Sequence, residues 1–374
     1  MNPISFSFEK ETLFPILAAM QPLCTRRTTV EATTNILLQI SNRELIVKGT
    51  DLEISLQSSC QLIDSNAMEP QSILIPGRRF YEVVKELDGT ITCAFENNQL
   101  AITTPSVELR LNVRDSDEFP PFPERIENLI SFDTTDTIEL LNSVSFLIPQ
   151  NNSNPALNGL LIEVDSQSVS FTSTDGHRLA QAKNTKYQLE ERQTWLIPRR
   201  AAYEIKKIIE SVSDQTLFFG TCNGHLVISG TQFNFFTRLI AQPFPEYRPI
   251  LSTEGFFCGT VQRTSFIKAL RHTMPLLSGQ FIATNFTFRP ETLELIFSNK
   301  GVGTLQEEVP LIKGPKEPIS IRFYAPYLVD GLQACTKEHV NFFIKSSQKP
   351  LIIEESTEHF TILYLVMPVS SNNQ

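Results

Sequence analysis

Ser173, Asp175 and His177 place the residue types of a serine hydrolase within five residues of one another. Acyl transfer needs a nucleophile, an imidazole base and a carboxylate that orients the base. Three alternating residues on one strand cannot converge as such a triad. The stretch reads more simply as a turn, with Asp175 capping backbone N–H groups and Gly176 at positive φ. The cysteines, at 24, 60, 93, 222, 258 and 335, are scattered and form no CxxC pair. Neither a zinc site nor a disulfide framework is expected from them, and they read as free thiols of a reducing cytoplasm. Gly301-Val302-Gly303 has Gln306 where a dinucleotide fingerprint needs its third glycine. No P-loop and no HxxxH or HExxH pair occurs, so no cofactor and no metal are expected. Asn151-Asn152-Ser153 and Asn285-Phe286-Thr287 match a glycosylation sequon by chance, because no secretion signal accompanies them.

The other residues with chemical potential are basic pairs. Arg78-Arg79 with Lys85, and Arg199-Arg200 with Lys206-Lys207, follow the runs Ile73-Leu74-Ile75-Pro76 and Trp195-Leu196-Ile197-Pro198. Each run reads as a strand, a proline-marked turn and a helix. Apolar residues then recur at helical spacing: Phe80, Val83, Val84, Leu87, and again Ile205, Ile208, Ile209, Val212. A seven-residue step returns to nearly the same face, so Arg199 points with Lys206 and Arg200 with Lys207. Solvated helix faces often carry such pairs, but here they recur at matching positions.

The recurrence extends along the whole chain. A third copy of the segment runs from Ile321 to Leu332, and the anchors Tyr81, Tyr203 and Tyr327 lie 122 and 124 residues apart. Gly49-Thr50-Asp51-Leu52 precedes Ser173-Thr174-Asp175-Gly176 by 124 residues. Helix-like segments open each third, near 9–20, 134–147 and 261–274. Most of the remainder reads as short strands. The chain of 374 residues is therefore three α+β units, 1–127, 128–252 and 253–374, each with two helices and antiparallel sheets. Linkers are expected near Pro123–Asn128 and Leu251–Gly255.

The formal net charge is −9, which excludes a uniformly basic nucleic-acid coat. The deficit is uneven. Residues 1–127 hold 11 Lys+Arg against 18 Asp+Glu, and residues 253–374 hold 11 of each. No apolar run approaches the roughly 20 residues of a membrane span, and Met1-Asn2-Pro3-Ile4-Ser5 is no signal peptide. A cytoplasmic location is expected. Phe360–Val369 reads as a buried strand.

A triplicated α+β chain with these motifs resembles the bacterial DNA polymerase III beta subunits, the beta sliding clamps. The resemblance rests on Gly49-Thr50-Asp51-Leu52-Glu53, Leu74-Ile75-Pro76 with Arg78-Arg79-Phe80, Glu118-Phe119-Pro120 and Leu157-Asn158-Gly159. It continues through Ser173-Thr174-Asp175-Gly176-His177-Arg178-Leu179-Ala180, Phe244-Pro245-Glu246-Tyr247-Arg248 and Val366-Met367-Pro368. These occur in family order over nearly the full chain. The resemblance implies three DNA-clamp domains per chain and a head-to-tail homodimer forming a six-domain ring. It implies a processivity factor without catalysis of its own, which encircles double-stranded DNA regardless of sequence. Its partners would be the polymerase III alpha subunit, the clamp loader and repair polymerases, bound through short peptides.

The resemblance also implies sites. A ring held by topology needs only weak phosphate contacts from its lining, and the candidates are Arg27, Arg78, Arg79, Arg199, Arg200, Lys206, Lys207, Lys268 and Arg271. Arg27 matches a family loop position, and the others follow from helix placement. The partner-peptide pocket would comprise Leu157, Thr174, Gly176, His177, Arg178, Leu179, Pro245, Ile250, Leu365, Met367, Pro368 and Val369. Arg178 or His177 would meet polar peptide atoms at its rim. The dimer contact would set Leu109 and Leu111 against Leu276 and Leu277, although each reads equally well as internal core.

The chain departs from the family at Asn154-Pro155-Ala156, where relatives place Arg or Tyr, at Pro249, and in the polar tail Val369-Ser370-Ser371-Asn372-Asn373-Gln374. Two other readings stay open: an interaction scaffold of the same fold that no longer encircles DNA, and an α+β hydrolase centred on His177.

Overall fold

The computed structural model describes residues 3–123, 126–187, 189, 192–279 and 281–369. The first third runs β1 (Ile4–Glu9), α1 (Lys10–Cys24), β2 (Asn35–Ile40), β3 (Glu44–Thr50), β4 (Ile54–Gln61), the two-residue β5 (Asp64–Ser65), β6 (Gln71–Pro76), α2 (Gly77–Glu86), β7 (Thr90–Glu96), β8 (Gln99–Thr104) and β9 (Val107–Asn112). The second runs β10 (Glu127–Asp133), α3 (Thr134–Val144), β11 (Gly159–Asp165), β12 (Ser168–Thr174), β13 (Arg178–Asn184), β14 (Gln193–Pro198), α4 (Arg199–Ser211), β15 (Thr216–Cys222), β16 (His225–Ser229) and β17 (Phe233–Arg238). The third runs β18 (Phe257–Gln262), α5 (Arg263–Leu277), β19 (Thr284–Phe288), β20 (Thr292–Asn299), β21 (Gly303–Lys313), β22 (Ile319–Phe323), α6 (Ala325–Ala334), β23 (His339–Ile344), β24 (Leu351–Ser356) and β25 (Phe360–Val366). Each third is thus a strand, a helix and three strands, said twice. The two helices per third match the sequence expectation. The division of each third into halves is a finer repeat than the motifs revealed.

The described chain forms two compact units, residues 1–135 with 203–239, and residues 136–202 with 240–374. In the first unit one sheet runs β5-β1-β7-β8-β9 and an eight-stranded sheet runs β10-β15-β16-β17-β4-β3-β2-β6. The middle of that sheet is a seam between thirds: β17 pairs antiparallel with β4, Phe235 opposite Leu56. The second unit is built on one twelve-stranded sheet, β14-β11-β12-β13-β25-β24-β23-β18-β21-β20-β19-β22. Its seam is the antiparallel pair β13–β25, running from Arg178 opposite Val366 to Asn184 opposite Phe360. Both seams are main-chain ladders between segments far apart in sequence.

The helices pack as their periodicity dictates. Phe80 and Val84 of α2 are buried, as are Ile205, Ile208 and Ile209 of α4 and Leu328, Gly331 and Leu332 of α6. α1 lies on α2, and α5 on α6. Gly331 permits the close approach of α6 to β25, since a Cβ there would stand 2.0 Å from the Tyr364 ring. The expected helix at 134–147 ends at Val144, and a 3₁₀ turn covers Ser145–Leu147.

The turn between β12 and β13 and the turn between β3 and β4 are the same structure. Asp175 Oδ1 accepts the N–H groups of His177 (2.9 Å) and Arg178 (3.1 Å). Asp51 Oδ1 accepts those of Glu53 (3.1 Å) and Ile54 (2.8 Å). Gly176 has φ 94°, and Leu52 at the matching position has φ 74°. The carboxylate satisfies two turn donors, and the residue after it must be left-handed.

Candidate functional site

An apolar cluster lies on the second unit's sheet, where Ala156, Leu161, Leu179, Leu196, Tyr247, Ile352 and Leu365 are buried together. Ile240, Phe244, Leu251, Phe343 and Leu363 pack around it. Strand alternation places Leu179 and Leu365 opposite each other in the β13–β25 ladder. The segment Phe244–Leu251 is fastened over the cluster by Tyr247. Gln181 Nε2 donates to its hydroxyl (2.9 Å), which itself donates to Glu163. Burial, then the Glu163 carboxylate, push the Tyr247 phenol up. Arg248 closes the group by donating to the other Glu163 oxygen.

The residues expected to line a pocket are distributed about this cluster. Leu157, Thr174, Leu179 and Leu365 are buried, and Arg178, Pro368 and Val369 are half-buried. Gly176, His177 and Pro245 are exposed, as are Ile250 at 43% and Met367 at 40%. Met367 N–H donates to the His177 carbonyl (2.9 Å), which fixes the chain after β25 beside the Asp175 turn. At the Asn154 departure, Asn154 Oδ1 accepts the Ala156 N–H at 3.1 Å, and Asn152 Nδ2 donates to the Asp175 carbonyl at 3.4 Å. An asparagine-braced turn therefore stands at this departure.

Arg178 is held by residues of its own chain. Its side chain is 12% exposed and is already engaged. Nε donates to Asp175 (2.9 Å), and one terminal nitrogen donates to Asp330 (2.6 Å) and to the Tyr364 hydroxyl (3.2 Å). The guanidinium carbon also lies 4.1 Å from the centre of the Tyr327 ring. Burial opposes its charge, but Tyr364, Asp330 and Asp175 outweigh burial and the pKa is raised. Arg178 is a brace of the seam, and His177 beside it is exposed. The Thr174 hydroxyl is likewise used, donating to the Arg178 carbonyl at 2.7 Å.

The Ser173, Asp175 and His177 set does not assemble as a proton relay. Ser173 Oγ is buried and donates to the Val144 carbonyl at 2.7 Å. Asp175 holds the turn and Arg178, and no hydrogen bond joins the His177 ring to either residue. Among the described residues no group of three or more His, Cys, Asp or Glu could hold a metal.

An aromatic platform beside the cluster escaped the sequence reading. Phe281, 57% exposed, stacks on Tyr324 at 4.4 Å, and Tyr324 meets Tyr327 edge-on at 5.0 Å. His177 stacks against Tyr327 at 6.5 Å. The signal available in sequence was Tyr327 itself, the third repeat anchor. Phe281 and Asp330 carried no repeat signature.

The basic candidates sit mainly on helix surfaces. Arg27 is exposed in the loop after α1, while neighbouring Arg26 is paired with Asp51 (3.4 Å) and Glu53. On α2, Arg78 and Arg79 are exposed, and Arg78 Nε donates to Glu82 at 2.8 Å. On α4, Arg199 donates to the Ile148 carbonyl (2.6 Å) and Arg200 is half-buried. Lys206 lies 3.8 Å from Glu210, and Lys207 lies 3.2 Å from Glu204. On α5, Lys268 and Arg271 are exposed and join Arg263 and His272 around an open cleft of about 510 Å³. The i, i+4 rows of a helix bring these four together. No Lys or Arg occurs in α3 or α6, and α1 has only Lys10.

Comparison with known proteins decides the family. The models of the N-terminal, central and C-terminal domains of the DNA polymerase III beta subunit match residues 4–123, 132–246 and 250–370. The chain belongs to the DNA polymerase III beta subunit family. The beta sliding clamp of Pseudomonas aeruginosa is 25% identical over 369 residues, covering 97% of this chain and 99% of that one. The beta sliding clamp of Chlamydia muridarum is 25% identical over 378 residues, covering 98% and 99%. Among solved structures, a P. aeruginosa sliding clamp bound to griselimycin has TM-score 0.90 at 24% identity, covering 98% of this chain and 100% of that one. The Bacillus subtilis sliding clamp has TM-score 0.90 at 22% identity, covering 99% and 100%. Membership carries the function of a DNA sliding clamp in replication. No described helix is long and apolar enough to cross a membrane.

For a clamp-family chain the expected dimer leucines are placed unevenly. Leu109 and Leu111 alternate half-buried on β9, which among the described residues pairs only with β8. Leu276 is half-buried at the end of α5, but Leu277 is 6% exposed and packs into its own unit. Of that pair, only Leu276 offers surface.

Proposed function

We propose that two copies of this chain close head to tail into a ring around duplex DNA, and that the ring tethers the replicative polymerase and other DNA-processing proteins. The observation that carries this reading is a pair of free strand edges. Both seams join the last strand of a first half-unit to the last strand of a second half-unit: β4 to β17 and β13 to β25. The strands left over by that rule are β21 and β9. Among the described residues β9 has β8 on one side only, and β21 has only β20 beside it from Gly303 to Pro310. A second copy supplies the missing partner to each edge, and the interface is heterologous within a closed ring. The half-buried Leu109 and Leu111 would face Leu305 and its neighbours on the opposing β21.

Arg78, Arg79, Lys206, Lys207, Lys268 and Arg271, with Arg27, would give the duplex sequence-blind phosphate contacts. Retention by topology needs no more. The three clamp domains are 1–127, 128–252 and 253–374. The chain has no catalytic role in this reading, and it works in the cytoplasm. The apolar cluster beneath Pro245, Ile250 and Met367 would receive short peptides of the polymerase alpha subunit, the clamp loader and repair polymerases.

The test is retention on DNA after loading by a clamp loader. The protein is expected to stay on nicked circular duplex and to run off once the circle is linearised. Equal retention on circular and linear DNA would overturn the reading. The lack of Lys and Arg on α3 and α6 favours a second reading, a scaffold of the same fold that does not encircle DNA. A monomer at micromolar concentration that cannot be loaded would support it.

A further inference from the structure

A cleft of about 550 Å³ in the first unit crosses the seam between the first and middle thirds. One side is α1 with β4, and the other is the end of α4 with the turn before β17. Its floor includes the β4–β17 ladder, where Ser58 stands opposite Phe233. The cleft has the size of a small-molecule site. No residue assigned above to DNA, peptide or dimer contact lines it.

Ile16, Ile208 and Val212 give the cleft apolar walls. Ser58 is 7% exposed, and its hydroxyl has no hydrogen-bond partner among the described residues. Its cross-strand neighbours are Val47 and Phe233, whose side chains offer none. A buried hydroxyl that lines a cleft without a partner is a polar group left for a ligand. Two carboxylates share the cleft: Glu11, exposed in the first turn of α1, and Asp214, half-buried after α4. Asp214 Oδ1 accepts the Thr231 N–H (3.1 Å) and the Thr231 hydroxyl, while Oδ2 has no hydrogen bond among the described residues. No Lys, Arg or His is among the described residues that line the cleft. The lysines of the same two helices are committed elsewhere, Lys10 to Asp88 (3.2 Å), Lys206 to Glu210 (3.8 Å) and Lys207 to Glu204 (3.2 Å). The last turn of α4 carries no basic residue, so the negative end of its dipole adds to the same sign.

We propose that this cleft binds a linear aliphatic polyamine, with its ammonium groups on Asp214, Glu11 and the Ser58 hydroxyl and its methylenes along the apolar walls. An ammonium group only donates, and each of these three side chains can accept. A bare metal ion would leave the apolar walls unused, whereas methylenes between ammonium groups cover them. Because the cleft draws on the first and middle thirds, the bound polyamine ties α1 to α4 across the seam and stabilises the unit. The site depends neither on ring closure nor on the peptide pocket.

The probe is cadaverine, an unbranched diamine, titrated calorimetrically into the full chain at physiological ionic strength, with pentanediol as its uncharged counterpart. The wild type is expected to bind the diamine and to melt at a higher temperature in its presence, and to bind the diol about tenfold more weakly or not at all. Glu11→Gln with Asp214→Asn should weaken diamine binding about tenfold, while the amide oxygen at 214 keeps the Thr231 bonds. Glu69→Gln with Glu96→Gln removes the same charge from exposed positions outside the cleft and should leave binding unchanged. Thermal melting without ligand establishes that each variant is folded, and Glu11→Gln alone, at an exposed residue, carries the test if the first pair is not. Equal weakening by the two pairs would mean attraction to acidic surface at large and would overturn the site. Equal binding of the diol, or no binding of the diamine to the wild type, would overturn it as well.

Discussion

Arg178 on β13 and Asp330 on α6 meet at 2.6 Å, 152 residues apart in sequence. The same guanidinium holds Asp175, so one cation fastens the turn of the middle third to a helix of the last. Asp330 is partly exposed, which moderates the bond's worth. Asp330→Asn is expected to lower stability by about 1 kcal/mol, and Arg178→Ala by about 2 kcal/mol, because the latter removes the donor of the half-buried Asp175 and of the Tyr364 hydroxyl as well. Chemical denaturation of the two variants checks the order. An Arg178→Ala variant as stable as the wild type would remove the brace from this account.

Leu52 and Gly176 occupy matching left-handed turn positions, but only the glycine does so without steric cost. Leu52→Gly should therefore leave stability unchanged or raise it by up to about 1 kcal/mol. Gly176→Ala should lower it by roughly 1 kcal/mol. Urea midpoints of both variants read this directly. A clear loss in Leu52→Gly would mean that the leucine side chain outweighs the strain.

Burial, aided by nearby carboxylates, raises the thiols of Cys24 and Cys335 to about 12 and that of Cys60 to about 11. The protonated form is the one the fold favours. The stabilisation is complete below the unfolded thiol value of about 8.5 and declines as pH climbs through the folded values. Stability should consequently fall above about pH 9. In native protein at pH 8, a thiol reagent should label the half-exposed Cys258 first, and the buried five only on unfolding. Rapid native labelling of several cysteines would contradict this burial.

Lys268 and Arg271 are the expected phosphate contacts of the α5 cleft. Lys268→Glu with Arg271→Glu should weaken non-specific duplex binding and flatten its salt dependence by about two phosphate contacts. A filter-binding salt titration gives the slope. An unchanged slope would place the DNA path elsewhere.

Much of this was legible in sequence because it repeats. Tyr81, Tyr203 and Tyr327 revealed three units, and the alternation of Phe80, Val83, Val84 and Leu87 gave the helix face that is buried. Asp175 and Gly176 announced their turn because its chemistry is local. The bracing role of Arg178 was not legible, for the opposite reason. Its partners Asp330 and Tyr364 come from elements more than 150 residues away, and no spacing encodes that meeting. Leu277 was ambiguous because a leucine near a helix end fits core and interface equally. Phe281 gave no signal, since its meaning lies in what surrounds it.

The two seams have one more consequence. β13 meets β25 over seven residue pairs and β4 meets β17 over five, through N–H and C=O groups that nearly every amino acid supplies. Cohesion carried by the common backbone leaves the side chains free to diverge. Evolution can then rewrite most of the text while the joints hold, as a TM-score of 0.90 at 22% identity records.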